Sequence, residues 1–250
     1  MLEIHNLTKI YDGKVIAVDN VSFEVKKGEF LAVIGLSGSG KSTLLRCINR
    51  LIEPTSGQIM WNNIDITSAS QTEMRNVRRK IGMVIQHFNL VSRSKVITNV
   101  LSGRLGYINP ALSLINRFPQ TDIEMALKQL DRVGIADQAY KRADELSGGQ
   151  QQRVGVARAM MQEPEIILAD EPVASLDPVL AHSIMQYLEK LNKEDGVTIL
   201  CSLHFLDLVH EYADRAIALN QGQLMFDGPP KEIDDARFRS IYGQEAKRVG

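Results

Sequence analysis

One stretch of the chain, residues 35–42 (GLSGSGKS), has residue types and spacing that suit phosphate chemistry. It fits the pattern G-x-x-x-x-G-K-[ST], in which glycines let successive backbone N–H groups converge on phosphate oxygens. Lys41 is then placed to neutralise the β- and γ-phosphates of a nucleoside triphosphate, and the Ser42 hydroxyl to ligate Mg²⁺. A flexible Gly/Ser-rich turn is the alternative interpretation, and the flanking elements have to decide between the two.

The elements on both sides of this stretch favour the phosphate loop. The apolar run Phe30–Ile34 before it predicts a buried strand. Apolar residues at helical spacing follow it, namely Leu44, Leu45, Ile48, Leu51 and Ile52. A helix that begins here adds partial positive charge at the loop. The sequence therefore predicts a strand, a glycine loop and a helix around one nucleotide site.

Composition limits the classes of protein to consider. The chain has 250 residues, of which 44% are hydrophobic and 24% charged, as in ordinary globular proteins. Its net charge of −1 gives no general attraction to nucleic acid. We expect no signal peptide and no membrane-spanning helix, so a membrane function would need another chain to span the bilayer. Cys47 and Cys201 lie in apolar patterns, which predicts buried free thiols in a reducing compartment.

The first 87 residues have mainly strand patterns. Residues 2–7 and 21–25 alternate apolar and polar types, and Asp12-Gly13 marks a turn between them. Short strands are predicted at 58–61 and 64–66, and a buried strand at 81–85. A basic cluster before that last strand is interpreted as a solvated helix face; its members are Arg75, Arg78, Arg79 and Lys80.

Residues 88–163 have helical patterns and are predicted to form a helical subdomain. Residues 121–124 (TDIE) form a potential capping box that opens an amphipathic helix, which Gly134 ends. A second helix is expected from about Gln150 to Gln162. From 164 to 226 the strand patterns return, and Asp177-Pro178 predicts a helix start. The polar segment 227–250 is predicted to be peripheral.

A carboxylate pair at the end of a predicted strand could complete the phosphate site. Asp170 follows the apolar residues 166–169, and Glu171 comes directly after it. Strands of such sheets present their carboxyl ends to the ligand, so Asp170 is the expected metal partner. Glu171 could orient or deprotonate the attacking water.

A second Ser/Gly turn feeds a helix at residues 146–150 (LSGGQ), which again suits a phosphate. With this motif the chain resembles an ATP-binding cassette (ABC) ATPase over nearly its full length, as one α/β domain of 250 residues. The resemblance implies a RecA-like parallel-sheet core (1–87 and 164–226), an N-terminal antiparallel β subdomain within it, and the helical subdomain as an insertion. Other phosphate-loop enzymes lack the LSGGQ signature, which disfavours a small-molecule phosphotransferase.

The resemblance assigns roles to individual residues. Walker A and its ATP contacts correspond to Gly35, Leu36, Ser37, Gly38, Ser39, Gly40, Lys41, Ser42 and Thr43. Glu171, His204 and Gln86 are implied as catalytic residues, and Ser42, Gln86 and Asp170 as Mg²⁺ contacts. Ser175 and Asp177 match the D-loop. Tyr11 matches the aromatic residue that stacks on adenine, and His204 the switch histidine; taken alone, each would be interpreted as a structural residue.

The family also implies partners and a mechanism. Two copies pair head to tail, so that Ser147, Gly148, Gly149 and Gln150 of one contact ATP held by the other. Integral membrane permease subunits dock on the pair at the cytoplasmic face of the inner membrane, and an extracytoplasmic substrate-binding protein acts indirectly. No nucleic acid is expected.

A narrower resemblance concerns the transported solute. Residues 103–107, 150–153, 167–178 and 227–230 are similar to those of ATPase subunits of phosphonate importers, with phosphite importers close. An importer ATPase for another small solute remains the alternative. A non-transport ABC ATPase is disfavoured, because the chain has neither a long coiled-coil insertion nor a second set of motifs.

Overall fold

The computed structural model describes residues 1–85, 89–108 and 117–242, and this part of the chain contains two β-sheets. The smaller sheet is antiparallel, with strand order β2-β1-β4-β5. Its strands are β1 (Leu2–Tyr11), β2 (Val15–Val25), β4 (Ser56–Trp61) and β5 (Ile64–Asp65). Asp12 and Gly13 have positive φ angles of 49° and 64°, which makes the predicted turn between β1 and β2.

The larger sheet has strand order β10-β9-β3-β8-β7-β6 and is parallel except for β10. Its strands are β3 (Phe30–Ile34), β6 (Ile81–Ile85), β7 (Ile166–Asp170), β8 (Thr198–Leu203), β9 (Arg215–Asn220) and β10 (Gln223–Gly228). Strands β3, β7 and β8 are buried throughout, which explains their continuous apolar sequences. Because the strands are parallel, the carboxyl ends of β3, β7 and β8 meet at one edge.

Helices cover both faces of the larger sheet and connect its strands. Those in the first half are α1 (Lys41–Ile48), α2 (Gln71–Lys80), α3 (Val96–Leu101) and α4 (Gln120–Arg132). Those in the second half are α5 (Gly148–Met160), α6 (Pro178–Lys193), α7 (Leu206–Tyr212) and α8 (Asp235–Tyr242). Among the described helices, none combines the length and the apolar composition of a membrane span. The mixed α/β architecture confirms the predicted fold class.

The apolar residues form two core clusters on opposite faces of the larger sheet. Phe30, Ala32 and Ile34 of β3 belong to the cluster that contains α3 to α7. Leu31 and Val33 belong to the cluster shared with α1 and the antiparallel sheet. Alternate residues of one central strand therefore hold the two halves of the molecule together.

Three sequence-based expectations need correction. The capping box at 121–124 is absent: α4 begins at Gln120, and the Pro119 carbonyl accepts the N–H groups of Asp122 and Ile123. The basic cluster is more than a solvated face, because the Arg78 guanidinium binds the carbonyl oxygens at the end of α1. The segment from 227 is not wholly peripheral either, since Ile233 and Ile241 are buried in the core.

The two cysteines match the prediction of buried free thiols. Cys47 lies on α1 and Cys201 on β8, and both are unpaired and buried. Burial raises the pKa of the Cys47 thiol to about 11 and raises that of Cys201 further. Both groups are therefore protonated and unreactive at neutral pH.

Candidate nucleotide-binding site

The glycine loop passes from the end of β3 to the start of α1, and the backbone of neighbouring strands packs closely against it. Gly35 and Gly40 have φ angles of 143° and 107°, which favour glycine. A Cβ on Gly35 would overlap the Leu219 carbonyl oxygen, and one on Gly40 would overlap that of Ala17. The turn between β9 and β10 also holds the loop, because Gly222 N–H donates to the Ser39 carbonyl over 3.0 Å. Glycine is thus needed here for space as well as for conformation.

Lys41 is the cation of this loop. Its side chain is only 3% exposed, and its ammonium donates to the carbonyl oxygens of Gly35 and Leu36, each at 2.9 Å. The nearest carboxylate oxygen, Oε1 of Glu171, is 3.8 Å away. Burial lowers the pKa of Lys41, while the charges of Glu171 and Asp170 oppose that change. A triphosphate would provide stronger compensation for this buried charge.

Asp170 ends β7 and faces α1, as its position after an apolar strand predicts. Its Oδ1 accepts the Ser42 hydroxyl at 2.6 Å, and its Oδ2 lies 3.2 Å from the Arg46 guanidinium. The carboxylate itself is almost completely buried. The structure therefore brings the two described members of the predicted metal site into direct contact.

Glu171 follows Asp170 in a left-handed conformation, with φ at 50°. Such a conformation costs a non-glycine residue free energy and needs support from its surroundings. Ser202 on β8 gives that support, because its hydroxyl accepts the Glu171 N–H at 2.8 Å. His204 Nε2 lies 2.6 Å from Glu171 Oε1, so two of the three residues predicted to be catalytic are joined by a hydrogen bond.

The phosphate loop and Glu171 line a cavity of about 360 Å³ at the carboxyl edge of the parallel strands. Its lining combines the phosphate loop with one carboxylate and one residue of the antiparallel sheet; the residues are Ala17, Ser37, Gly38, Gly40, Lys41, Ser42, Thr43 and Glu171. The arrangement offers backbone donors, a buried cation and a carboxylate to a polyphosphate. It has the parts needed to bind a nucleotide and to activate water next to the terminal phosphate.

Tyr11 is not among the residues that line this cavity. It ends β1, and its register partner on β2 is Val15, two residues before Ala17. The Lys9 ammonium is 5.1 Å from the Tyr11 ring centroid. The same hairpin thus carries the Tyr11 ring and the cavity-lining residue Ala17.

The LSGGQ motif forms the N-terminus of α5. Ser147 and Gln150 cap each other: Ser147 Oγ accepts Gln150 N–H, and Gln150 Oε1 accepts Ser147 N–H at 3.0 Å. Gly148 is exposed, whereas Gly149 is buried against Leu180. None of these residues lines the phosphate cavity of the described chain. The structure therefore does not bring the motif to the nucleotide site of the same chain.

The D-loop residues are exposed in a similar way. Ser175 and Asp177 lie in the segment before α6, and the Asp177 side chain accepts Leu180 N–H at 3.0 Å. This confirms Asp177 as the predicted helix cap. Gln86, predicted as both a catalytic and a metal-binding residue, lies outside the described residues.

Sequence reasoning missed three residues of the site. Ala17 lies on β2 of the antiparallel sheet, outside the phosphate-loop motif, yet it lines the cavity. Ser202 supports Glu171 from the neighbouring strand β8. Arg46 is one helical turn beyond Ser42, and this spacing alone could have indicated its contact with Asp170. The pairing of β7 with β8, which places Ser202, has no local sequence signal.

Comparison with known proteins agrees with this geometry. The family model described as ABC transporter matches residues 18–174. The phosphonates import ATP-binding protein PhnC 1 of Halalkalibacterium halodurans is 53% identical over 247 residues, covering 99% of this chain and 96% of that protein. The phosphonates import ATP-binding protein PhnC of Bdellovibrio bacteriovorus is 51% identical over 250 residues, covering 100% and 96%.

A solved structure shows the same fold. It is a dimeric ATP-binding cassette in a post-hydrolysis state with bound ADP and Pi, and it matches with a TM-score of 0.82 and 35% identity. The match covers 92% of this chain and 99% of that one. The chain therefore belongs to the ABC transporter family, as one of its ATP-binding and ATP-hydrolysing cassettes.

Proposed function

We propose that this cassette powers the import of a phosphonate or a related phosphorus oxyanion such as phosphite. The observation that carries the proposal is the identity of 53% and 51% to two phosphonates import ATP-binding proteins over nearly the whole chain. The solute itself is not expected to touch this subunit. Its identity would be set by the permease and binding protein that the subunit drives.

We propose that Glu171 and His204 carry the hydrolytic step. Water attacks the γ-phosphorus while the bond to the β,γ-bridging oxygen breaks, and Glu171 orients this water or accepts its proton. His204 holds the carboxylate in place through the 2.6 Å contact. Lys41 and the loop amides stabilise charge on the phosphate oxygens. The 3.8 Å separation of Lys41 from Glu171 keeps both groups close to one reacting phosphate.

The residues present also suit Mg²⁺. Within the described part of the chain, no cluster of three or more His, Cys, Asp or Glu side chains could hold a metal. However, Mg²⁺ in nucleotide sites takes few protein ligands and relies on phosphates and water. The Ser42 hydroxyl and the Asp170 carboxylate, 2.6 Å apart, would hold the ion directly or through water, with Gln86 as a further candidate. The bound ion would neutralise charge on the β- and γ-phosphates.

We propose that the complete ATP site forms between two copies of the chain. Ser147, Gly148, Gly149 and Gln150 of one copy would contact the γ-phosphate held by the loop of the other. Exposure of Ser147 and Gly148 at a helix N-terminus, away from the cavity of their own chain, supports this arrangement. Leu36 in the loop and Phe205 after His204 are 45% and 54% exposed, and such a partner would cover them. Ser175 and Asp177 would lie in the same interface.

Tyr11 is proposed to stack on adenine. Its position at the end of β1, in the hairpin that also contributes Ala17 to the cavity, supports this role. Val15, opposite Tyr11, is 62% exposed and offers further apolar surface to a base.

We further propose that the cassette works at the cytoplasmic face of the inner membrane, bound to integral permease subunits. The division into a nucleotide-binding core (1–87 and 164–226), a helical subdomain (88–163) and a C-terminal segment (227–250) is part of this proposal. The groove between α2 and residues 102–108, about 450 Å³ in volume, is assigned to the permease. Leu105 and Tyr107, which line it, are 49% and 37% exposed. Gln86 would link this groove to the γ-phosphate.

The test is reconstitution with permease subunits and a substrate-binding protein that assemble with this subunit. ATP hydrolysis in proteoliposomes should increase on addition of an alkylphosphonate or phosphite, and less on addition of inorganic phosphate. An assembled complex stimulated only by an unrelated solute would retain the ABC importer function and refute the phosphonate assignment. Hydrolysis that no solute stimulates would favour the non-transport alternative.

A further inference from the structure

The two helices that begin at the LSGGQ motif and at the D-loop touch each other at their N-terminal ends. Gly149 is the second residue of α5 and Leu180 the third of α6, and a Cβ on Gly149 would come within 2.6 Å of Leu180 Cδ1. The Leu180 N–H is in turn bound by the Asp177 carboxylate at 3.0 Å. The first turns of α5 and α6 therefore lie side by side.

One side chain joins the two helices a turn further along. Arg153 on α5 donates from Nη2 to Ser183 Oγ on α6 at 3.0 Å. Its guanidinium also lies 5.4 Å from the centroid of the Tyr187 ring. Ser183 and Tyr187 are four residues apart on α6 and thus share one face of that helix. Arg153 is in the same way four residues beyond Gly149, so the two contacts continue along one line between the helices.

The guanidinium of Arg153 is held from a third side by the end of α4. Its Nη1 donates to the Val133 carbonyl at 3.4 Å. Gly134, which follows, brings its backbone close to the same group: a Cβ there would lie 3.6 Å from Arg153 Nη1 and 3.3 Å from the Tyr187 hydroxyl. The position of the Arg153 side chain is therefore well defined.

The contacts of Arg153 depend on the shape of its guanidinium more than on its charge. The described partners are a hydroxyl group, a backbone carbonyl and an aromatic ring, all of them neutral. A planar guanidinium donates in two directions and presents its face to a ring at the same time, which a lysine ammonium cannot do. The residue type therefore suits a fixed joint between helices.

The proposed interface between two copies needs both helix starts at once. Ser147 and Gly148 are exposed at the start of α5, and Ser175 and Asp177 are exposed just before α6. The strand β7 separates α5 from α6 in the sequence, so contacts between the helices set the relative position of the two motifs. Surfaces that are already ordered bind more tightly, because less freedom is lost on association.

We propose that Arg153 is a positioning residue for the shared ATP site: it joins α5 to α6, so that a partner copy meets the LSGGQ motif and the D-loop as one rigid surface. The inference rests on the proposed site between two copies. Arg153 does not line the phosphate cavity of its own chain, so it would act on dimer formation and not on ATP binding by the monomer.

The test measures ATP-dependent dimerisation in the full chain that carries Glu171→Gln. Sedimentation velocity over a range of protein concentrations, at saturating Mg²⁺ and ATP, gives the dissociation constant of the dimer. Adding Arg153→Gln should raise this constant about tenfold, the effect of one hydrogen bond from a charged group. Adding Arg153→Lys, which keeps the charge and loses the planar group, should have a similar effect. The Kd of the monomer for ATP should stay unchanged in both.

Arg132→Gln is the matched control. Arg132 also joins two segments through its guanidinium, but it links α4 to Asp195, beyond the other end of α6. This variant should lower the Tm and leave the dimer constant unchanged. Ser183→Ala removes the hydroxyl that accepts from Arg153 and should raise the constant at least about twofold, which keeps the test available if Arg153→Gln does not fold.

Three results would overturn the inference. They are an unchanged dimer constant for the variants at 153 and 183, an equal increase for Arg132→Gln, and full dimerisation of Arg153→Lys. If the chain with Glu171→Gln alone forms no dimer with ATP, the shared site itself is refuted, and the result does not concern Arg153 alone.

Discussion

The Ser202→Ala variant tests how Glu171 is held in place. The Ser202 hydroxyl accepts the Glu171 N–H at 2.8 Å and donates towards Asp170 Oδ1 at 3.3 Å. Ser202 is fully buried, so no water replaces the hydroxyl without rearrangement. An unpaired N–H costs about 1–3 kcal/mol. For a chain of this size, that corresponds to a Tm decrease of about 2–4 °C per kcal/mol.

The same change should reduce turnover. Glu171 holds a left-handed backbone conformation that costs about 1–3 kcal/mol unless its surroundings maintain it. Without the Ser202 contact, we expect the backbone to relax and its carboxylate to shift. Because a misplacement of about 1 Å can cost about 100-fold in rate, kcat should fall by about 10- to 100-fold. The KM for ATP should change little, since Ser202 does not line the phosphate cavity.

Thr198→Val is the matched control on the same strand. Thr198 Oγ1 accepts the Gly28 N–H at 2.9 Å near the opposite end of β8, so this variant also leaves one backbone N–H unpaired. Steady-state ATP hydrolysis and thermal unfolding should show similar stability losses for both variants and a loss of kcat only for Ser202→Ala. Equal kcat values at saturating ATP would refute the positioning argument.

Four further outcomes follow from the site. Glu171→Gln should bind ATP, lose turnover and elute as an ATP-dependent dimer in size-exclusion chromatography; near-normal hydrolysis would remove Glu171 from its role. Ser147→Arg should abolish hydrolysis but keep ATP binding by the monomer, and loss of that binding in titration would place the signature in its own chain's site. Tyr11→Ala should weaken ATP affinity by about 1–3 kcal/mol if it stacks on adenine, whereas an unchanged Kd would make it a structural residue. Because burial raises the pKa of the Cys47 and Cys201 thiols, the native chain should resist a thiol reagent at pH 8 and react twice when unfolded, and rapid native labelling would contradict their burial.

Elements whose local and tertiary signals agree could be predicted from the sequence. The Asp177-Pro178 pair starts α6 as expected, because an N-cap carboxylate and a proline at the first helical position suit the same backbone. The strand before Gly35 and the helix after it were predicted for a similar reason. At these positions no strong tertiary contact opposes the conformation that the local sequence favours.

The helix at 120–132 shows what happens when there is a competitor. The Glu124 carboxylate, which would close the expected capping box, instead accepts the Gln120 side-chain amide at 3.1 Å, and the Pro119 carbonyl accepts the first N–H groups. Because the helix begins at Gln120, Thr121 lies inside it and cannot act as its N-cap. Burial of Ile241 could not be predicted either, because one buried apolar side chain hardly changes the polar composition of the segment after residue 227.

The supporting residues of the site could not be predicted, for a geometric reason. Ser202 and Glu171 are 31 positions apart in the sequence and meet only because β8 lies next to β7. Motif spacing identifies groups that bind substrate along one loop. It carries no information about which neighbouring strand supplies the hydroxyl that holds them.

The turn between β9 and β10 has a practical consequence for protein engineering. Its residues resemble those of an ordinary surface hairpin, where chains usually tolerate inserted peptides and new termini. Here, however, Gly222 donates to the Ser39 carbonyl at 3.0 Å and accepts the Asp19 N–H at 2.9 Å, which connects the antiparallel sheet to the phosphate loop. An epitope tag or a circular permutation at this turn would cut that connection. Fusion sites for labelling this cassette are therefore better sought elsewhere on its surface.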